Sequence, residues 1–156
     1  MRLLAIDPGT EESAWVSLSG SMPTGFGKYG NDTILELIEE CHAQHLAIEM
    51  VQSFGMPVGA EVFQTVLWAG RFIERFHPCP HTLVYRSEVK LHLCQSPRAN
   101  DATIRQALID RFGGKDAAIG RKATPGPLYG VSGDVWQALA VGLTWSDMHS
   151  RDARRA

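Results

Sequence analysis

The chain has 156 residues and a formal net charge of −2. Its hydrophobic and charged fractions, 44% and 21%, exclude disordered and collagen-like classes. No apolar run approaches the roughly 18 to 20 residues that span a bilayer. The length suits a single domain over 1–156 with a core of its own. "MRLLAI" has one charge and no small-residue cleavage site, so it does not read as a signal peptide. Cys41, Cys79 and Cys94 are odd in number and share no metal-type spacing; they read as small core residues in a reducing cytoplasm.

Taken in chain order, "RLLAID" is a continuous apolar run and predicts a buried strand that ends on Asp7. "ESAWVSLSG" and "TGFGKYG" predict two further strands in a meander. Asn31 or Asp32 can cap a helix carrying Ile34, Leu35, Leu37, Ile38 and Cys41 at helical spacing. "HLAIEM" is a fourth strand with a second carboxylate, Glu49, near its end. The loop "VQSFGMPVG" leads into a helix from about 59 to 76, with Val62, Val66, Ala69, Ile73 and Phe76 as its inner stripe. After a Pro-rich break, "HTLVYRS" predicts a fifth strand, and Ser87 can cap a short helix containing Lys90. "NDATIRQALIDRFGG" is a helix capped by Asn100 or Asp101 and stopped at Gly113. "GKDAAIGRKATPGPLYG" is rich in Gly, Pro and basic residues and reads as a mobile loop. "GDVWQALAVGLTWSDMHS" closes the chain as a helix, followed by a short charged tail. Three meandering strands followed by alternating helices and strands imply an α/β domain, with a mixed sheet of five strands covered on both faces.

Charge is unevenly distributed. Residues 71–122 hold ten Lys/Arg against five Asp/Glu, whereas the remainder is strongly acidic. This is either scatter over solvated faces or a division between a phosphate-binding region and a metal-holding one. The acids favour the second account. Asp7 and Glu49 end two strands and Asp134 opens the last helix. Neighbouring parallel strands would bring their ends to one sheet edge, with the helix above. Any one of these acids alone could be a turn or helix-terminus residue. Crowded together, they would repel and take up protons unless cations neutralised them. Oxygen ligands without His or Cys suit Mg²⁺ or Mn²⁺, and two such ions about 4 Å apart support phosphodiester cleavage by water.

"LAIDPGT", "LAIEMV" and "GDVWQALAVGL", in this order and spacing, resemble the RuvC-type Holliday-junction resolvases, more narrowly their phage-encoded branch, within the ribonuclease H-like superfamily. The resemblance covers nearly the whole chain. It implies a ribonuclease H-like fold and a homodimer that cuts four-way DNA junctions with Mg²⁺ or Mn²⁺, two ions per site. Asp7, Glu49 and Asp134 would be the metal ligands. Lys90 stands where the family places a lysine near the scissile phosphate. Where bacterial members carry a second acid one helical turn after Asp134, this chain has Gln137, a weaker ligand for a cation. Around "SPRAND", where the family often has a further lysine, the chain offers Arg98 and Asn100. Arg121 and Lys122 are either phosphate contacts or ordinary solvated charges. Phe54 and Met56, in the loop after Glu49, either wedge between bases at a branch point or pack on the following helix. Trp68, Trp136 and Trp145 fall on apolar helix faces as core or dimer contacts, and the six histidines read as structural.

Three other readings share parts of this pattern. An actin-like kinase or ATPase domain also uses an Asp-x-Gly-Thr turn, but needs two domains around a cleft. A non-catalytic junction-binding protein would account for Gln137. A YqgF-type RNA-processing nuclease shares the fold, although the region around "VKLHLC" and Ala99 to Leu108 favours the RuvC type.

Overall fold

A computed structural model of the chain describes residues 1–155, with side chains described for 1–150. The elements are β1 (Arg2–Asp7), β2 (Glu12–Ser19), β3 (Met22–Gly30), α1 (Asn31–Glu40), β4 (His45–Met50), α2 (Ala60–Phe76), β5 (His81–Tyr85), α3 (Arg86–Cys94), α4 (Asp101–Arg111), α5 (Lys115–Ala118), β6 (Gly120–Arg121), β7 (Thr124–Pro125) and α6 (Val135–Arg155). β1 to β5 form one sheet in the order β3-β2-β1-β4-β5. The meander is antiparallel, whereas β1–β4 and β4–β5 are parallel pairs, so the sheet is mixed as the element order predicts.

Strand parity divides the core. Leu4 and Ile6 of β1 and Leu46 and Ile48 of β4 pack with α1 and α2. Leu3, Ala5 and Ala47 point to the other face, where α4 and α6 cover them. Asp7 and Glu49 continue this second set, so the same alternation that buries the core turns both acids toward α6. α6 lies close on the sheet because residue 142 is glycine. A Cβ there would come within 2.8 Å of Leu18 Cδ1 and 2.9 Å of Ala5 Cβ.

Four expectations change. Asn31 is the first residue of α1 and its side chain does not cap the helix; Gly30 holds the cap position. The Asn31 amide is engaged elsewhere, as described below. α2 buries Ala69, Phe72 and Phe76, and no residue from Ala60 to Trp68 is buried. Val66 is therefore exposed, together with Phe63 and Leu67, because no layer covers the first half of the helix. The glycine-rich stretch after α4 is folded rather than mobile. It forms α5 and a β6–β7 hairpin, tied down by Gly126 N–H to Ile119 O, Leu128 N–H to Ala118 O and the buried Leu128 side chain. Finally, Cys79 is exposed and Cys41 and Cys94 are only partly buried. Of the tryptophans, Trp136 and Trp145 are core residues and Trp68 packs at its edge. α6 runs on as backbone to Arg155, through most of the expected tail. Among the described residues, no helix is long and apolar enough to cross a membrane.

Candidate metal centre

Asp7 leaves β1 at a Pro-Gly turn that a closed set of hydrogen bonds holds in place. Gly9 N–H donates to Ser13 Oγ (3.1 Å), and Ser13 Oγ–H donates to Asn31 Oδ1 (2.6 Å). Asn31 Nδ2 then donates back to Gly9 O (3.0 Å). Ser13 and Asn31 are buried, so these bonds form out of water, where an unmade partner is costly. The turn also needs glycine at position 9, since a Cβ would lie 2.2 Å from Glu12 O.

β1 pairs with β4 through Ile6↔Ile48, and the next side chains on the α6 face are Asp7 and Glu49. Both carboxyls are partly buried. Burial, the Glu49 charge and a hydrogen bond between the two acids push the Asp7 pKa up to about 9, with Asp134 adding to the rise and Arg86 opposing it. Burial likewise raises Glu49, against the hydrogen bond from Asp7 and the charge of Arg86. Two carboxyls this close, with no cation between them, keep a proton.

Asp134 precedes α6, and its carbonyl accepts from Gln137 N–H (3.0 Å) and Ala138 N–H (3.2 Å). Its charge reaches both buried acids. Its carboxylate, however, accepts a hydrogen bond from Lys28 Nζ at 2.8 Å. This bond raises the Lys28 pKa. Among the described residues, no three His, Cys, Asp or Glu side chains form a ready-made ligand set. Lys28 instead engages the Asp134 carboxylate. The donors at hand are all carboxylate oxygens, which suits a hard divalent ion.

Gln137 lies one turn along α6, as its spacing implies, and its Oε1 accepts from Arg86 Nη1 at 2.5 Å. Arg86 opens α3 directly beyond β5, and its guanidinium also pairs with Asp101. Beside it a cleft of about 660 Å³ runs past Glu49, Phe54, Val58, Arg86 and Lys90. Lys90 thus lines the same cleft as Glu49. Phe54 and Met56 are 77% and 75% exposed, so they do not pack on α2. Gln52 from the same loop accepts a hydrogen bond from Ser87 Oγ–H (3.0 Å). Arg98 is exposed between α3 and α4, and its side chain has no ion-pair partner among the described residues. Arg121 and Lys122 lie at the tip of the β6–β7 hairpin, exposed. The site geometry includes neither Arg98 nor the hairpin pair.

Sequence reasoning missed Lys28 and Arg86. Both follow a signal that requires the strand register. Asp7 pairs with Ala14, and Ala14 with Lys28, so Lys28 is in the same cross-strand row and on the same face as Asp7. Glu49 pairs with Val84, and Arg86 is two residues further on. Asn100, expected above as a possible cap and also offered beside Arg98 in place of a lysine, caps α4 by accepting from Thr103 N–H (3.0 Å).

No protein-family model matches this sequence, and no curated protein matches it. Among solved structures, the chain is similar to Thermus thermophilus RuvC, with a TM-score of 0.68 and 14% identity over 98% of this chain and 97% of that one. It is also similar to T. thermophilus RuvC in complex with Holliday junction substrate, with a TM-score of 0.71 and 16% identity over 98% of this chain and 96% of that one. The shared fold is the ribonuclease H-like α/β arrangement, a five-stranded mixed sheet between helical layers.

Proposed function

We propose that the protein is a structure-specific DNA endonuclease that cuts four-way junctions and other branched DNA by metal-dependent phosphodiester hydrolysis. One observation carries this reading: two partly buried carboxyls, Asp7 and Glu49, stand on the same face at adjoining strand ends, with a third acid, Asp134, whose charge reaches both. The fold is that of RuvC, one structure of which was solved with a Holliday junction substrate.

Asp7, Glu49 and Asp134 would hold Mg²⁺ or Mn²⁺. Such an ion supplies Lewis acidity to the phosphate and makes water a better nucleophile. The protein's own groups do the rest. Asp7 and Glu49 are mounted on paired strands, so their separation is fixed before the ligand arrives. To hold such an ion, Asp7 would have to be ionised and Asp134 freed from Lys28. Lys90 lies along the cleft beside Glu49 and stabilises charge that develops on the phosphate oxygens. Phe54 lines that cleft, and with Met56 it projects from the exposed loop, where apolar side chains can part a base step at the branch. Arg98, Arg121 and Lys122 contact backbone phosphates further out. A homodimer would present two such centres about a two-fold axis, the symmetry of a four-way junction. The uncovered Phe63, Val66 and Leu67 of α2 form an apolar face for that pairing.

The engaged amide of Gln137 favours a second reading, a junction-binding protein without nuclease activity. One experiment separates the two. A labelled four-way junction is incubated with Mg²⁺ and either wild type or Asp7→Asn. Symmetric nicks made only by wild type support the nuclease. Binding without nicks supports the scaffold, and cutting that survives Asp7→Asn overturns the assignment of the acids.

A further inference from the structure

Resting on the nuclease reading, we propose that Arg86 is a built-in cation of the centre: it takes the place of a second divalent ion, leaving one, and contacts the scissile phosphate. Gln137 Oε1 accepts from Arg86 Nη1, so the amide oxygen that could have approached a second ion already has a cationic donor in front of it. The amide nitrogen is a donor and cannot ligate a metal.

Arg86 is held on two sides, by Gln137 and by Asp101, and its side chain is 33% exposed. Both partners come from other elements, α6 and α4, so the guanidinium is fixed by the packing of three helices. Its charge reaches Asp7 and Glu49. It also lines the cleft with Lys90, where a phosphodiester lying against Glu49 would pass. A planar guanidinium still offers N–H donors after two contacts, in the fork that suits a phosphate.

Manganese titration followed by calorimetry and electron paramagnetic resonance tests this on the full chain. Wild type, Gln137→Asp, Arg86→Met and the double variant are compared, each first checked for a cooperative melt. Wild type is expected to bind one ion per chain, with an uncoupled spectrum. Gln137→Asp should still bind one, because Arg86 would pair with the new carboxylate. Only the double variant should bind two, with exchange coupling between them. Two ions of similar affinity in wild type, or in Gln137→Asp alone, would overturn the proposal while leaving the nuclease reading intact. No bound ion in wild type would overturn both.

A kinetic arm addresses the phosphate contact. Arg86→Met should lower kcat about 100-fold, the scale of losing one transition-state donor, while junction affinity measured in Ca²⁺ changes less than about threefold. Arg86→Lys should recover part of the loss. Equal losses in binding and turnover, or no recovery by lysine, would contradict a transition-state role.

Discussion

Replacing Asp7 by asparagine should change how stability depends on pH, even in the absence of DNA. The Asp7 carboxyl titrates near 3.8 in an unfolded chain and at about 9 in the fold. Between those limits the native state binds a proton that the unfolded state has released. Stability is therefore greatest below the unfolded value, falls as pH rises through the window, and levels off above the folded value. One retained proton corresponds to at most about 1.4 kcal/mol per pH unit, so from about pH 5 to about pH 8 the metal-free protein loses up to about 4 kcal/mol. For a chain of this length that is a fall of roughly 8 to 15 °C in Tm. Asparagine has the shape of the protonated acid and does not ionise, so Asp7→Asn should lack this component. The assay is thermal melting by circular dichroism in chelator across that range, wild type against Asp7→Asn. Glu49 loses its Asp7 partner in the variant, so the difference between the curves reports the Asp7–Glu49 pair, while the more distant titrations are common to both proteins. Mn²⁺ should restore wild type at high pH and leave the variant nearly unchanged. Parallel curves for the two proteins would refute the buried, proton-holding pair.

Four other outcomes follow from the structure. Asn31→Ala should destabilise the protein by about 1–3 kcal/mol, since it leaves buried Ser13 and the Gly9 carbonyl without their partner; chemical denaturation would measure it. Phe54→Ala should weaken cutting of branched DNA more than binding to plain duplex, and equal losses on both would count against the wedge. Arg121→Ala and Lys122→Ala should each reduce the salt slope of DNA binding by about one, without altering Mn²⁺ affinity. Leu67→Glu on the exposed face of α2 should shift the molecule toward monomer in sedimentation velocity, while the metal-free melt moves little; an unchanged oligomeric state would remove α2 from the interface.

The elements were legible because most of them bury one face. β1 and β4 are apolar throughout, and the apolar spacing of α1 fixes which side meets the sheet. The convergence of Asp7 and Glu49 was legible for the same reason: each ends such a strand. The Asn31 cap failed because a short polar residue before a helix can serve either the helix or a neighbouring turn, and the turn after Asp7 took it. The α2 stripe failed because periodicity shows which residues could be buried together and not how far the sheet extends beneath them. The hairpin after α5 was hidden because glycine, proline and lysine mark turns without saying whether the turns pack. Lys28 and Arg86 lay beyond reach for a stricter reason. Each is placed by pairing between strands distant in sequence, and nothing local in "GKYGN" or "VYRSE" signals a partner on another strand.

The two missed cations are not equivalent, and the difference explains how a fold can hold three acids before any ion arrives. Lys28 is 42% exposed in its side chain and its bond to Asp134 is a surface ion pair, worth about 1 kcal/mol or less. A divalent ion can displace it at little cost, which frees Asp134. Arg86 is tied to two partners from two helices; Asp101 is 74% exposed and water can replace its donor, so the part-buried bond to Gln137 Oε1 is the one whose loss is costly. One flank of the acid cluster is thus closed by a cation that exchanges and the other by one that stays. On the proposed reading, a centre built this way would bind a single ion from the β3 side and keep a fixed positive charge on the α3 side. Loading by one ion and retention of Arg86 are then two consequences of one asymmetry, set by where β3 and β5 end.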